Sequence, residues 1–552
     1  MKDGVTLKWI KAGMKGQGAA LAFVLVFCVA QAALAVLFAL AVREIINAAT
    51  AENAAYACIV RCSVLLAATV CLQCALKLTL GFMRENMRTR TEISLRKRAF
   101  RAVLGGRYGE IAKYHSGDIL NRVFTDASIV ADGASAILPS LASAASRLIF
   151  TAAALFVLSP IFTAILLAAC VVAFFVAMAF RKKLKGLHTE MREADGRSRE
   201  FTQESVENLL AVKVFEAEDK FAAKGEKLLG DYRDKYLRRN RVSVLGTECF
   251  DIAFRVFYVA AMILGVFAIF RGETDYGTLA AMLQLIGQIQ MPVIALSGAA
   301  PRYFTMLASA ERLMELEKYP EEKRKKEETS AFYGGLKAIV FDGVYFSYGR
   351  EPVLENVNLK IKKGQFAVIK GESGIGKSTL LKLALGVYRP VRGEVYFETA
   401  AGRRASASSG LFAYVPQGNM LFSGTVRENL LFLNENAAEE DVARALETAA
   451  AEFACALPEG LDTPVGENGF GLSEGQVQRL AIARALLTGA PVLFLDEATS
   501  ALDAETEGRL LENLRRLGGR TVVLITHKSA AEKEADVVIT IKNGEVFTDE
   551  RA

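Results

Sequence analysis

Long apolar segments fill the first 300 residues of the chain, and polar, mostly basic stretches separate them. A helix needs about 20 mainly apolar residues to cross the hydrocarbon core of a bilayer. Six segments meet this requirement, and they are residues 19–42, 56–82, 136–158, 160–180, 250–270 and 276–300. Only the dipeptide "SP" at 159–160 separates the third segment from the fourth, so we expect these two helices to form a tight hairpin.

The distribution of basic residues predicts how these segments are oriented. Lysines precede the first segment, and residues 84–122 and 181–185 are rich in arginine and lysine. Because cytoplasmic loops of membrane proteins carry an excess of such residues, we expect the N-terminus on the cytoplasmic side. The sequence therefore predicts a multi-pass protein of the cell inner (plasma) membrane, with the lipid bilayer as a partner. The long polar loops 83–135 and 181–249 look helical and should extend the spans into the cytoplasm.

Composition supports a membrane protein that also has a soluble part. Hydrophobic residues make up 52% of the chain, charged residues make up 23%, and the formal net charge is +6. The basic residues crowd the loops between apolar segments and form no aromatic-interleaved patch. We therefore expect no nucleic-acid partner.

Several polar side chains interrupt the predicted spans. Such groups are costly in lipid and usually face a bundle interior or a wet cavity. Two interpretations stay open: the residues line a substrate path, or they form internal ion pairs and interhelical hydrogen bonds. The residues are Arg61, Lys77, Arg147, Asp251, Arg255, Gln284 and Gln288. The last two are four residues apart, so they should share one helix face.

A different pattern begins after a charged stretch at 319–335, which we interpret as a solvated linker between residues 1–318 and 336–552. In the second part, short β-rich runs alternate with helical ones, which is typical of a sheet with crossover helices. The strand-like "QFAVIK" leads directly into "GESGIGKST" at 371–379. The sequence thus predicts an α/β domain with a phosphate-binding loop.

This glycine-rich stretch matches the P-loop pattern between a strand and a helix. Gly371, Gly374 and Gly376 let backbone amides close around phosphate oxygens. Lys377 supplies charge to the β- and γ-phosphates, and the Ser378 hydroxyl can ligate Mg²⁺. Ser373 and Thr379 complete the motif, so we assign all these residues to nucleotide binding.

Two later strands add acids and a histidine. "PVLFLDEATSALD" at 491–503 is an apolar strand that ends in Asp496 and Glu497. Asp496 is suited to hold Mg²⁺ through water, and Glu497 can polarise an attacking water. "TVVLITH" ends in His527, which should face the nucleotide crevice and can hydrogen-bond the γ-phosphate.

Taken together, these segments resemble an ABC transporter. "LSEGQ" at 472–476 resembles the signature sequence of that family, "YVPQ" at 414–417 its Q-loop, and "VYFSY" at 344–348 its A-loop. The resemblance covers nearly the whole chain. It implies an exporter-type half-transporter, in which an all-α six-helix transmembrane domain precedes one α/β P-loop NTPase domain, the ABC ATPase.

The resemblance also implies roles for further residues. Gln417 should act in catalysis and sense Mg²⁺, and Tyr348 should stack on adenine. Ser473, Gly475 and Gln476 match the signature, and Asp503 matches the aspartate of the D-loop. ATP and Mg²⁺ are the implied cofactors.

By the same resemblance, the chain is an ATP hydrolase coupled to transport. It should work as a dimer with a second half-transporter, either a second copy or a homologous chain. The implied cargo is a small amphipathic, lipid, drug or peptide substrate that is exported. An importer of a small chelate with the same architecture stays open, and the six spans disfavour an ABC ATPase that does not transport.

Three features depart from the family pattern. The stretch "ETAAGRRASASSG" at 398–410 is rich in alanine and serine and lacks the pattern that is usual before the Q-loop. The other two departures are single residues. Glu474 stands in the signature where glycine is usual, and Lys528 follows His527 where arginine is commoner. None of these departures removes a catalytic group, and Glu497 is present, so we expect an active ATPase.

Overall fold

The computed structural model describes residues 2–51, 56–318, 329–349, 351–404, 410–418, 421–466, 469, 471–542 and 544–550. The side chains of residues 2, 161, 165–182, 250, 297, 403 and 404 also lie outside the described part. The chain divides into two compact units. We call Met1–Arg101 with Ser116–Glu317 the helical unit, and Ala102–His115 with Lys318–Ala552 the sheet unit.

Long helices account for most of the helical unit. In chain order the helices before residue 318 are α1 (Lys2–Gly13), α2 (Gly18–Thr50), α3 (Tyr56–Gly105), α4 (Tyr108–Ile111), α5 (Ser116–Asn121), α6 (Ala127–Leu158), α7 (Pro160–Glu207), α8 (Leu209–Val214), α9 (Glu218–Phe270), α10 (Tyr276–Gly287) and α11 (Gln290–Leu316). A π-helical turn, Arg122–Asp126, joins α5 to α6. Helix α6 ends at Leu158, and only Ser159 separates it from Pro160, which opens α7; proline suits the first turn of a helix.

Five helical stretches are long and apolar enough to cross a membrane, judged by length and composition among the described residues. They are Gly18–Thr50, Tyr56–Gly105, Ser116–Leu158, Glu218–Phe270 and Tyr276–Leu316. The predicted segment 160–180 lies in α7, but most of its side chains are outside the described part of the chain. The polar loops expected to be helical are indeed largely continuations of α3, α7 and α9.

Small residues allow these helices to approach closely. A Cβ on Gly277 of α10 would lie 2.3 Å from the carbonyl oxygen of Arg43 on α2. The Gly277 amide also donates to the Asn47 side chain at 2.9 Å. Lipid is as apolar as a buried side chain, so close van der Waals packing of this kind holds transmembrane helices together.

The last predicted span, 276–300, is interrupted in the structure. Helix α10 ends at Gly287, Gln288 caps it in a helical conformation, and α11 begins at Gln290. Pro292 explains the break, because it has no N–H to donate to the carbonyl of Gln288. The Gln288 side chain donates through Nε2 to the carbonyl of Ala35 at 3.2 Å.

For Asp251 and Arg255, the sequence left two roles open, lining a substrate path or forming an internal ion pair. In the structure the two side chains form an ion pair. Arg255 Nε donates to Asp251 Oδ2 at 2.6 Å, one helical turn away. Gln290 donates to the other oxygen of Asp251, also at 2.6 Å. These contacts favour a role in holding the bundle together for this pair.

Hydrogen bonds and ion pairs hold the C-terminal end of α11. Arg312 donates through Nε to buried Asp126 of the π-helical turn at 2.8 Å. Glu317, just beyond α11, accepts from the indole of Trp9 at 2.8 Å and from Arg98 at 2.6 Å. The Arg98 guanidinium also lies 4.7 Å from the centre of the Trp9 ring. Three helices, α1, α3 and α11, therefore meet at Glu317.

The sheet unit alternates strands and helices. Its later helices are α12 (Thr329–Gly335), α13 (Lys377–Ala384), α14 (Val426–Leu431), α15 (Glu439–Thr448), α16 (Glu474–Leu487), α17 (Ala504–Arg516) and α18 (Ala530–Glu534). Its strands are β1 (Leu336–Ser347), β2 (Pro352–Lys362), β3 (Phe366–Gly371), β4 (Arg392–Thr399), β5 (Gly402–Arg404), β6 (Phe412–Val415), β7 (Gly424–Thr425), β8 (Pro464–Val465), β9 (Val492–Asp496), β10 (Thr521–Ile525), β11 (Val537–Lys542) and β12 (Glu545–Glu550).

A six-stranded sheet in the order β12-β11-β3-β10-β9-β6 carries the core. The strands from β11 to β6 are parallel, and β12 is antiparallel at the edge. Both faces are covered, which explains the continuous apolar run in β3. Phe366 and Val368 face the cluster formed with α14 to α17, whereas Ala367 and Ile369 face the cluster formed with β1, β2 and α13.

The stretch interpreted as a linker is only partly described. Residues 319–328 lie outside the described part, whereas Thr329–Gly335 forms α12. Its Phe332 is buried against Phe397 of β4, with 6.1 Å between the ring centroids. This apolar anchor was hidden among the charged residues of the stretch. The helical architecture followed by an α/β sheet domain confirms the predicted fold class.

Candidate nucleotide-binding site

Four parallel strands bring the predicted catalytic groups to one edge of the sheet. β3 ends at Gly371, β9 ends at Asp496, β10 precedes His527, and β6 precedes Gln417. The strands are hydrogen-bonded neighbours in the order β3-β10-β9-β6, so the residues after them lie side by side. In open α/β sheets, ligands bind outside the carboxyl ends of the strands.

The P-loop joins β3 to α13 through backbone conformations that favour glycine. Gly374 has φ of 82° and Gly376 has φ of 106°. Gly376 caps α13 and is tightly enclosed, since a Cβ there would lie 3.0 Å from the Val353 side chain. Ser373 is exposed in the same loop. The loop therefore leaves backbone amides free to surround a phosphate group at a helix start.

Lys377 is 5% exposed and folds back into its own loop. Its Nζ donates to the carbonyls of Gly371 at 2.9 Å and Glu372 at 3.0 Å, and it lies 2.9 Å from His527 Nε2. Burial lowers the pKa of Lys377, while the charges of Glu497 and Asp496 oppose this shift. The ammonium group therefore lies where the oxygens of a triphosphate can replace the two carbonyl groups, which are weaker partners for a charged donor.

The chemistry of Asp496 fits a magnesium ion. The carboxylate is 1% exposed and accepts from Ser378 Oγ at 2.9 Å and from the Tyr414 hydroxyl at 3.0 Å. Burial raises the pKa of Asp496, and the hydrogen bonds from Ser378 and Tyr414 oppose that shift. A serine hydroxyl and a buried carboxylate in contact are oxygen ligands of the kind that Mg²⁺ takes beside phosphates.

Glu497 lies at the centre of the remaining groups. Gln417 Nε2 donates to Glu497 Oε2 at 2.8 Å, and His527 Nε2 is 3.4 Å from Glu497 Oε1. Lys377 Nζ is 4.0 Å from the same Oε1. The structure therefore brings Lys377, Gln417, Glu497 and His527 together around one carboxylate.

Tyr348 follows β1 and remains 54% exposed. Its hydroxyl lies 3.0 Å from Thr379 Oγ1, which places it beside the P-loop helix. Tyr388 meets the Tyr348 ring edge-on at 5.2 Å and meets Tyr108 of α4 at 6.0 Å. The exposed ring of Tyr348 leaves an apolar surface next to the phosphate loop.

The signature residues form a separate, self-contained helix start. Ser473 caps α16: its Oγ accepts from the Gln476 amide at 3.3 Å, and the Gln476 side chain accepts from the Ser473 amide at 2.9 Å. Gly475 packs against the next loop, since a Cβ would lie 3.0 Å from the carbonyl oxygen of Ala501. Glu474 is exposed in the first turn, where the helix dipole favours an acid.

Asp503 begins α17 in the same manner. Its Oδ1 accepts from the Thr506 amide at 2.9 Å, and this hydrogen bond lowers the pKa of Asp503. The loop before it is held by Lys528, whose Nζ donates to the carbonyls of Thr499 at 2.9 Å and Leu502 at 2.7 Å. The side chains of Asp503 and Ser473 thus contact their own helices.

Two contacts of this site were not predicted. The Tyr414 hydroxyl reaches Asp496, and the Lys528 ammonium group reaches the loop before Asp503. Alternation in the strand "FAYV" puts Tyr414 on one face, but its partner strand is distant in sequence. A departure from a family pattern was the only sequence signal for Lys528.

Comparisons with known proteins agree with this arrangement. Residues 21–293 match the ABC transporter transmembrane region, and residues 354–500 match the family described as ABC transporter. A solved structure of a bacterial Atm1-family ABC exporter with ATP bound has the same fold, with a TM-score of 0.81 over 97% of this chain and 95% of that chain. The two sequences are 21% identical.

Curated relatives place the chain more closely. The Leukotoxin translocation ATP-binding protein LktB of Mannheimia glucosida is 33% identical over 64% of this chain, which matches only 50% of that protein's length. The ATP-dependent lipid A-core flippase of Desulfotalea psychrophila is 30% identical over 78% of this chain and 76% of its own length. With a matching transmembrane region, a matching nucleotide-binding region and these relatives, the chain belongs to the ABC transporter family.

Proposed function

We propose that this chain is an ATP-driven exporter that works as a dimer of half-transporters and moves a small amphipathic, lipid, drug or peptide substrate out of the cell. The observation that carries the proposal is the cluster of Lys377, Gln417, Glu497 and His527 at the ends of parallel strands. The named activities of the relatives, translocation and flipping, support export over uptake of a small chelate.

ATP binding is assigned to the P-loop and to Tyr348. The amides from Gly371 to Thr379 surround the phosphates, and Lys377 exchanges its carbonyl contacts for phosphate oxygens. Phosphate oxygens carry more negative charge than carbonyls, so the exchange favours the nucleotide. The exposed ring of Tyr348 stacks on the adenine.

Mg²⁺ is assigned to Ser378, Asp496 and Gln417. When bound there, the ion would neutralise phosphate charge and orient the triphosphate. Asp496 is buried and already accepts from Ser378, so the acid and the hydroxyl need no rearrangement to face a common ligand. Gln417 is positioned by its hydrogen bond to Glu497.

Glu497 is assigned as the group that polarises the attacking water. One of its oxygens accepts from Gln417, and the other faces His527 and Lys377. Arrival of the triphosphate draws Lys377 and His527 toward the γ-phosphate. That movement frees Glu497 Oε1 to accept a hydrogen bond from water.

A second chain completes each site in this proposal. The helix start at Ser473 satisfies its own hydrogen bonds but keeps exposed polar groups that suit a phosphate. In addition, the tip around α8 exposes Leu210 and Phe215, each 79% accessible. Apolar residues at such a tip are suited to dock on the other half-transporter and to pass on its closure. Whether that chain is identical or homologous is decided by the mixing experiment below.

Transport into membrane vesicles tests the proposal. The chain is reconstituted, ATP is supplied only to the outside, and only inverted molecules are then energised. We expect uptake of a fluorescent amphipathic dye, a labelled lipid or a labelled peptide, and no uptake by the Glu497→Gln variant. An N-terminus on the ATP-exposed side of the energised molecules would also support the assigned inner-membrane orientation.

Two outcomes would contradict this proposal. ATP-dependent loss of preloaded cargo from these vesicles would indicate import. ATP hydrolysis that no lipid, dye or peptide changes, without any cargo movement, would indicate an ABC ATPase that does not transport.

A further inference from the structure

We propose that Tyr414 is a positioning residue for magnesium, whose hydroxyl fixes the carboxylate of Asp496 in the orientation that the ion requires. The inference rests on the proposed function, because magnesium-dependent ATP hydrolysis is part of it. Tyr414 itself touches neither nucleotide nor ion in this proposal. It acts through Asp496.

The sheet register places the two residues within reach. β6 runs parallel to β9, with Tyr414 opposite Phe494. Asp496 lies two residues further along β9, so its side chain is on the same face as that of Phe494. Diagonal neighbours across two strands are within reach of a long side chain. The Tyr414 hydroxyl accordingly donates to Asp496 Oδ2 at 3.0 Å.

Each oxygen of the Asp496 carboxylate accepts a hydrogen bond from a different donor. Ser378 Oγ donates to Oδ1 at 2.9 Å, and Tyr414 donates to Oδ2. A single hydrogen bond leaves a carboxylate free to rotate about its terminal bond, whereas one on each oxygen fixes its plane. Ser378 is itself assigned to the ion, whereas Tyr414 is a donor to Asp496 that has no other assigned role.

The surroundings keep this donor in place. Tyr414 packs against the cluster formed by β1, β2 and α13, beside Phe494. A tyrosine hydroxyl is protonated at neutral pH, so the phenol donates to Asp496. Groups that orient a metal ligand in this way typically change metal affinity by about 10- to 100-fold when removed.

Mn²⁺ titration of the full-length protein tests the inference. Free Mn²⁺ is followed by electron paramagnetic resonance in the presence of a non-hydrolysable ATP analogue. We expect Tyr414→Phe to weaken Mn²⁺ binding about tenfold and to raise the half-saturating Mg²⁺ concentration for hydrolysis by a similar factor. Binding of the analogue in EDTA should stay as in the wild type.

Tyr333→Phe is the matched control. That residue also loses a hydroxyl and a hydrogen bond, to the carbonyl of Gly519 at 2.7 Å, but it does not contact Asp496. We expect wild-type Mn²⁺ affinity from it. A wild-type affinity in Tyr414→Phe would overturn the inference.

A second substitution keeps the test decisive if Tyr414→Phe folds poorly. Fluorotyrosine at position 414 retains the ring and the hydroxyl that orients Asp496, so Mn²⁺ should bind nearly as in the wild type. A loss of affinity of about tenfold in this variant would show that affinity does not follow the hydrogen bond and would overturn the inference. If the wild type neither binds Mn²⁺ with the analogue nor hydrolyses ATP, the proposed function fails. If it does both and Tyr414→Phe equals it, only the role of Tyr414 fails.

Discussion

Glu497 occupies a backbone conformation that side chains rarely adopt, with φ of 52°. Such a residue costs roughly 1–3 kcal/mol and persists where its surroundings hold it. The Glu497 amide donates to the carbonyl of Ile525 at 3.0 Å, which links the turn after β9 to β10. The strained turn aims the carboxylate at Gln417 and His527 instead of along the strand.

Replacing Glu497 by glutamine tests its assigned role. Glutamine keeps the size and the contact with Gln417 but cannot accept a proton from water, so we expect hydrolysis to fall by about 10²-fold or more. ATP-analogue binding should be retained. Glu512→Gln, at an exposed carboxylate on α17, is the control and should hydrolyse ATP normally. An unchanged rate in Glu497→Gln would exclude Glu497 as the base.

Lys377 is assigned to nucleotide binding, so its removal should weaken the affinity for ATP and not only slow hydrolysis. Lys377→Ala removes the ammonium that faces the phosphate position, and a charge-assisted hydrogen bond of this kind is worth about tenfold or more in affinity. Fluorescence titration with an ATP analogue measures the loss. Lys360→Ala, at a surface pair with Glu398, should bind as the wild type does. Equal affinities in both variants would contradict the assignment.

At the scale of elements, single glycines decide how closely helices approach. Gly277 brings α10 against the backbone of α2, and the asparagine Asn47 bonds to its amide. Gly287, at the other end of α10, has open space where a Cβ would lie. The same helix thus offers a packed glycine and an unpacked one.

We expect Gly277→Ala to lower the unfolding temperature of the purified protein and Gly287→Ala to leave it unchanged or raise it slightly. The first substitution puts a methyl group 2.3 Å from the Arg43 carbonyl, so the helices must separate. The second only improves helix propensity, by up to about 1 kcal/mol. Thermal unfolding in detergent measures both. Equal losses in the two variants would mean that this close approach does not stabilise the bundle.

Elements also show how far sequence could predict the structure. The apolar runs and the P-loop are local patterns, so the long helices, β3 and Lys377 were foreseen from neighbouring residues. The break at Gln288 was not predicted, although Pro292 is a local signal for it, because the apolar pattern continues across it. The contact of the Gln288 side chain with Ala35 depends on the packing of another helix. The Tyr414 contact depends on the pairing of two strands that are distant in the chain, which no local pattern encodes.

At the scale of the whole molecule, two helix N-termini of the sheet unit suit a phosphate group, and they follow different segments of that unit. α13 follows β3 and carries Lys377, whereas α16 begins at Ser473 with its capping box closed on itself. The second start is explained if it serves the nucleotide of another chain. Each dimer would then hold two composite sites.

Mixing two defective chains tests this arrangement. Lys377→Ala impairs the P-loop half of a site, and Ser473→Arg impairs the half formed by the start of α16. Neither homodimer therefore has an intact site. A heterodimer, isolated through two different tags after co-expression, would combine both defects in one site and leave the second intact. We expect it to hydrolyse ATP well above either homodimer. Activity in the wild-type tagged pair but none in the mixed pair would contradict shared sites. An inactive wild-type pair would point to a homologous partner chain.

The contact at Glu317 has a practical consequence. Trp9, whose indole donates a hydrogen bond to Glu317, is the sole tryptophan of the 552-residue chain. Indole emission responds to the polarity around the ring and to nearby charge, and here both are set by Arg98 and by the end of α11. The unlabelled protein therefore carries an optical reporter at the end of α11, and its fluorescence can follow this part of the helical unit during turnover.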